Sequence, residues 1–228
     1  MSLTVSGANA FTDNQTILSL APGTGILLSF ASFNPLITGL NTISVSVASD
    51  QNNLNNSASL SQSITCSDWA QNPPSGTYTV NSVGFSTGAG ILATSLFNPV
   101  AASLAGVRGS VSSFTGNVSG QLYGVLLNSS GNILATTNTI TITTAMLGTF
   151  QDFTFPSSQP LTASTSYYIG VAQYNPSNQS YYPFGTLSAY YLPANLYSYT
   201  GLTGGGMTIL TQNYGYFGFE AVYDVTLI

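Results

Sequence analysis

Seven side chains carry the charge available for chemistry near neutrality: the carboxylates Asp13, Asp50, Asp68, Asp152, Glu220 and Asp224, and the guanidinium of Arg108. Lys and His are absent, which removes Schiff-base chemistry and the side chain best suited to proton transfer near neutral pH. Hydrolysis of a glycosidic bond needs two carboxyl groups facing each other across it. Glu220 and Asp224 lie four apart in a strand-like run, so they share a face but stand roughly 13 Å apart at the strand rise. Asp152, set among aromatic residues, reads as a turn or edge carboxylate accepting backbone N–H groups. Arg108 reads as an internal partner for a carboxylate or for backbone carbonyls rather than a substrate ligand. Serines are abundant, but none has a basic neighbour or a Gly-x-Ser-x-Gly setting, so no nucleophile is expected. No enzyme is expected.

Metal and partner chemistry narrow in the same way. Cys66 is the single cysteine, so neither an intrachain disulfide nor a thiolate cluster can form, and it reads as a small residue at a domain junction. The run Asp50-Gln51-Asn52-Asn53-Leu54-Asn55-Asn56 is rich in oxygen donors. It reads first as a hairpin loop of residues that bond their own backbone, and only weakly as a calcium site through Asp50, Asn52 and Asn55. A weaker calcium candidate surrounds Asp68, and no other cofactor is expected. One arginine cannot neutralise a phosphate backbone or an acidic membrane, so nucleic acid is excluded as a partner. No run is long enough for a membrane helix, and the N-terminal residues lack the order of a signal peptide. The chain is expected to be a piece of a longer protein.

Aromatic residues give the strongest functional hint. Tyr174, Tyr181, Tyr182, Phe184, Tyr190, Tyr191, Tyr197, Tyr199, Tyr214, Tyr216 and Phe217 crowd the C-terminal quarter, several beside Asn, Ser, Gly or Pro. A tyrosine on a loop offers an apolar ring with a hydrogen-bonding tip, which suits a protein surface or a sugar. It equally suits the sealed end of a sandwich. Tyr181, Tyr182, Tyr190, Tyr191, Tyr197 and Tyr199 are the contact candidates, together with Trp69, which either caps a domain junction or offers a ligand platform. The Asn-x-Ser/Thr triplets at Asn14, Asn55, Asn117, Asn128 and Asn178 reflect a polar surface and no modification is assigned to them.

The elements that would position these residues read as strands. The stretch Phe150–Tyr174 organises the rest: Phe153 and Phe155 alternate, Pro156-Ser-Ser-Gln-Pro160 breaks the pairing, and Ser166–Tyr174 resumes it. In the second half Tyr167, Ile169 and Val171 share one face while Tyr168, Gly170, Ala172 and Tyr174 share the other, so packing is required on both sides. Upstream, Ile17–Leu20 and Ile26–Phe30 read as strands around the turn Ala21-Pro-Gly-Thr-Gly25. Asn41–Ser49 alternates Ile43, Val45 and Val47 with Thr42, Ser44 and Ser46, and Ala58–Ile64 returns as its partner. Residues 67–77, containing Pro73-Pro74, read as a linker. Beyond it Ile91–Phe97, Ala102–Val111, Gly120–Leu127 and Ile133–Thr137 form a meander, with a hairpin at Asn128–Asn132 and a tight bend or helical turn at Ala145–Gly148.

Two resemblances sharpen this. Residues 1–66, with "Leu-Ala-Pro-Gly" and the "Asp-x-Asn-x-x-Asn-Asn" hairpin, resemble the later strands of immunoglobulin-like adhesion-type repeats in large secreted proteins of Bacteroidota. Such a domain would be truncated at its N-terminal side, leaving a sheet edge able to recruit a strand. Residues 78–228, with "Tyr-Gly-Val-Leu-Leu-Asn-Ser-Ser-Gly-Asn", "Phe-Thr-Phe-Pro", "Tyr-Tyr-Ile-Gly-Val-Ala-Gln" and "Gly-Tyr-Phe-Gly-Phe-Glu-Ala", are similar to jelly-roll-like modules of Bacteroidota surface proteins, commonly type IX secretion substrates. The resemblances imply an all-β chain of two β-sandwich modules, extracellular or at the cell surface, structural or adhesive in role. Its partner would be a protein or a further copy of itself. A carbohydrate-binding module is the alternative, and a fibre or decoration protein of a phage or injection particle the second.

Overall fold

A computed structural model describes residues 1–21, 23–49, 53–65, 68–70, 81–175, 177, 179–187, 196–212 and 214–224. The chain is all-β, as expected, and divides into two compact units, Met1–Cys66 and Ser67–Ile228.

The first unit contains β1 (Ser2–Gly7), β2 (Phe11–Asn14), β3 (Gly39–Ser46) and β4 (Ser57–Ile64). They form one antiparallel sheet in the order β2-β1-β3-β4, a single layer among the described residues. The alternation of the sequence is preserved across the strands. One face carries the row Phe11, Val5, Ile43, Leu60, and the opposite face the row Thr12, Thr4, Ser44, Ser59. Ile17–Leu20 and Ile26–Phe30 are not strands, contrary to the expectation from their apolar spacing. No described strand lies beside them to complete a ladder, and Leu18, Leu20, Ile26 and Leu27 remain exposed. Side chains hold this segment instead. Asp13 Oδ2 accepts the Ala31 N–H at 2.7 Å, and Asn9 Oδ1 accepts the N–H groups of Leu36 and Ile37, each at 2.9 Å. Asn41, buried in β3, accepts the Asn9 N–H at 2.8 Å.

The second unit contains β5 (Asp68–Ala70), β6 (Asn81–Val83), β7 (Gly90–Asn98), β8 (Ala102–Ser110), β9 (Gln121–Asn128), β10 (Ile133–Thr136), β11 (Ile140–Thr141), β12 (Phe150–Leu161), β13 (Thr165–Tyr174), β14 (Phe184–Leu187), β15 (Tyr197–Thr200), β16 (Thr208–Ile209), β17 (Tyr216–Phe217) and β18 (Phe219–Tyr223). A seven-stranded sheet, β10-β9-β13-β7-β15-β16 with β11 on β9, accompanies a four-stranded sheet, β12-β8-β18-β5, and a three-stranded one, β17-β14-β6. Leu92, Leu96, Leu126, Ile169 and Val171 of the first share one core with Leu104, Val107, Phe153, Phe219 and Ala221 of the second. This is the two-layer arrangement that alternating strands require.

β13 lies inside the large sheet, between β9 and β7. Tyr167, Ile169 and Val171 face the main core. Ala172, on the other side, joins Ile91, Ala93, Val125 and Leu127 beneath Tyr168, Ile133, Leu202 and Met207. Burying Ile169 completely contributes about 1.5–3 kcal/mol, and β13 repeats that gain along one face.

Two expectations about punctuation need correction. Pro156 and Pro160 do not end a strand: β12 continues through them to Leu161, with a register shift between Thr154 and Gln159. β12 is an edge strand, where a missing N–H leaves no ladder bond unmade. The corner falls instead at Thr162–Ser164, with Ser164 at φ +54°. The second correction concerns 67–77, because Asp68, Trp69 and Ala70 form β5 and pair with β18. Residues 71–77 lie outside the described residues. The bend at Ala145–Gly148 includes part of a 3-10 turn, Thr144–Met146.

Candidate functional site

Three surfaces bring together residues able to act on something outside the fold. The first is a row of charge across the outer face of the four-stranded sheet. Asp152 on β12 lies opposite Arg108 on β8, which lies opposite Glu220 on β18. Their strand neighbours Phe153, Val107 and Ala221 point inward to the core, so alternation turns all three charged groups outward. Arg108 Nε donates to Asp152 Oδ1 at 2.6 Å and Nη1 to Glu220 Oε2 at 3.2 Å, and Nη1 stands 3.9 Å from Asp68 Oδ1 on β5. Hydrogen bonding and charge from Asp152, and after it from Glu220, hold the Arg108 pKa above its ordinary value against partial burial. Partial burial pushes the Glu220 carboxyl upward, and the bond and charge of Arg108 act against that rise.

The cation sits between its carboxylates as a tie across strands, so Asp152 and Glu220 face Arg108 rather than one another across an open cleft. Asp224 is separate: its Oδ2 accepts the Ser158 hydroxyl at 2.7 Å. The pairing of Arg108 was expected in kind, but not the convergence of Asp68, Asp152 and Glu220, which come from three distant segments. The available signal was scarcity, since the single cation of an acidic chain is where carboxylates gather.

The second surface is an apolar recess of about 240 Å³ between β6, β7, β14 and β15. Val83, Phe85, Leu92, Phe184, Tyr199, Leu210 and Tyr214 line it, and none of the charged row does. Phe85 and Phe184 meet edge to face at 6.2 Å. Buried Gln173 fixes the turn that carries Phe85: its Oε1 accepts the Phe85 N–H at 2.9 Å and its Nε2 donates to the carbonyls of Ser86 and Gly88. The Tyr214 hydroxyl donates to Gln212 Oε1. The volume suits one ring rather than a drug-sized ligand.

The third surface is the hydroxyl face of the first unit. Its rows are Thr12–Thr4–Ser44–Ser59, Asn14–Ser2–Ser46–Ser57 and Ser6–Thr42–Ser61. All are exposed except Ser2 and Ser44, which are half-buried, and no ionisable side chain interrupts them. Such a face displays donors and acceptors at strand spacing without charge.

The tyrosines expected to meet a partner separate. Tyr181 and Tyr197 are buried, at 2% and 4% exposure, and their contact role is corrected. The Tyr181 hydroxyl lies against Ser177 and Gln179, and the Tyr197 hydroxyl accepts the Phe217 N–H at 3.0 Å. These rings plug the sandwich. Tyr182 is half-buried, with its N–H on Asn117 Oδ1 at 2.7 Å and its hydroxyl donating to Ser86. Tyr199 is exposed at the recess. Trp69 packs on the core of the second unit from β5 rather than from a linker. Tyr190 and Tyr191 lie outside the described residues, as do Cys66, Asp50 and Asn52 of the proposed calcium loop. Asn55 closes a 3-10 turn, Asn53–Asn55, before β4. Asn117 is fully buried, so its triplet offers no accessible amide.

Comparison with protein-family models, with curated proteins and with solved structures finds no match.

Proposed function

We propose that this chain is a non-enzymatic structural or adhesive module, working outside the cell or at its surface through protein–protein contacts that include copies of itself. The observation that carries this reading is the exposed, uncharged hydroxyl face of β1–β4. A face of that kind can meet another neutral surface without desolvating a charge, the costliest step in bringing polar surfaces together. The few ionisable groups support it. Arg108 is engaged by Asp152 and Glu220, and Asp13 by the Ala31 N–H, so these three carboxylates serve the fold.

The recess under Tyr199 favours a second reading, a carbohydrate-binding module, because ring faces and one hydroxyl tip are what a single sugar ring stacks on.

One experiment separates the two. Beads coated with the purified chain are expected to cluster, and the variant Thr4→Lys/Ser59→Lys, which puts cations into the hydroxyl rows, is expected to disperse them. Clustering that is blocked by a soluble glycan and lost in Tyr199→Ala would replace the first reading with the second. Turnover of a glycan by the chain, abolished by Glu220→Gln, would overturn both.

A further inference from the structure

Among the described strands, most sheet edges are short or guarded. β2 has four residues and carries Asp13, with the Ala31 backbone held against it. β12 carries Asp152, Pro156 and Pro160 and a register shift. β10 has four residues and a register shift, β5 and β6 have three residues each, and β16 and β17 have two. Charge, proline, irregularity and brevity are the devices that keep edges from pairing with other chains. β4 has none of them. It runs eight residues, Ser-Ala-Ser-Leu-Ser-Gln-Ser-Ile, in unbroken register with β3 on one side and with no described strand on the other.

We infer that β4 is a pairing edge and that its occupant is β4 of a second copy, joined antiparallel about a two-fold axis through Leu60. Strand parity admits only registers that keep like faces together, and pairing the one leucine of β4 with its counterpart selects among them the register centred on Leu60. With Leu60 on the axis, Leu60 meets its counterpart, Ser59 lies opposite Ser61, and Ala58 lies opposite Gln62. Residues directly opposite share a face, so the apolar row Phe11–Val5–Ile43–Leu60 continues into its copy and the hydroxyl rows do the same. A slip by one residue would set Leu60 opposite Ser61 and Ala58 opposite Ser63, apolar against hydroxyl. Leu60, 58% exposed in the single chain, gains a cross-strand leucine partner. No charge on β4 opposes a copy of itself, which matters in a two-fold contact because every residue of the strand faces another residue of the same strand. The result is an eight-stranded sheet built from two four-stranded ones.

This inference rests on the adhesive reading for its biological sense, and the test keeps the two apart. Sedimentation of the full chain across micromolar to near-millimolar concentrations is expected to show a monomer–dimer equilibrium. Leu60→Lys places two cations at the axis on an already exposed site. It is expected to be monomeric with an unchanged circular dichroism spectrum. In a Cys66→Ser background, Leu60→Cys is expected to form an interchain disulfide on mild oxidation. Ser57→Cys and Ser63→Cys, each roughly 20 Å from its counterpart in this register, are expected to cross-link at least about tenfold more slowly. A chain that stays monomeric at every concentration, equal cross-linking at the three positions, or a dimer undisturbed by Leu60→Lys would each overturn the pairing. A chain that stays monomeric while its coated beads cluster would overturn the pairing and leave adhesion in place, whereas a dimeric chain whose beads never cluster would do the reverse.

Discussion

At the scale of single residues, Arg108 decides more than any other side chain. Glu220 is held in a partly buried position where desolvation raises its pKa, so proton uptake there favours the folded state. A carboxyl whose folded pKa lies above its unfolded value makes stability fall as pH rises through that range. Arg108 restrains this by bonding the ionised form. Replacing it, Arg108→Met, leaves burial unopposed, and the loss is expected to be about 1–2 kcal/mol near pH 7 and smaller near pH 4. Thermal melts of wild type and variant at the two pH values check this, and Glu220→Gln in the same chain is expected to recover most of the difference. Asp13 runs the opposite way. Its carboxyl is lowered, chiefly by the Ala31 N–H, so its contribution is present at neutral pH and lost as pH falls through the folded pKa.

At the scale of elements, β13 is where sequence and packing agree most closely. Two apolar faces in Tyr167–Tyr174 required cover on both sides, and each face has its own cluster. A side chain added at Gly170 would not fit there, because its Cβ would run into the Leu92 carbonyl oxygen and the Ala93 backbone of β7. Gly170→Ala is therefore expected to destabilise the second unit by about 1–3 kcal/mol, read from the denaturant midpoint at constant m-value. Elsewhere the pattern was less legible, for identifiable reasons. Ile17–Leu20 alternates like a strand but has no described neighbour to pair with, and periodicity reports a face, not a partner. Pro156 and Pro160 looked like a corner because sequence does not say which strand is an edge. Tyr181 and Tyr197 looked like surface aromatics because their polar neighbours are not the residues that bury them. The charged row was invisible for a related reason: Asp68, Asp152 and Glu220 meet Arg108 only through sheet order.

At the scale of the whole molecule, the two units differ in what holds them together. Among the described residues, Val5 is the only fully enclosed apolar side chain of Met1–Cys66, whereas Ser67–Ile228 encloses a continuous core from Leu92 to Ala221. Opening free energy follows enclosed apolar area. Amides of β1–β4 are accordingly expected to exchange with deuterium at lower denaturant than those of β7, β9 and β13, and equal protection in the two sets would contradict that assignment. The same asymmetry suits a sheet that gains strength from a neighbour. It also sets the role of charge. On the proposed reading, a chain with seven side chains charged near neutrality makes its contacts through hydroxyls, backbone edges and apolar rows, none of which salt screens. The most direct measurement is therefore the clustering of chain-coated beads from low to molar salt. Clustering that persists undiminished over the whole range is the predicted result, and beads that never cluster, or that disperse as salt rises, would contradict the account.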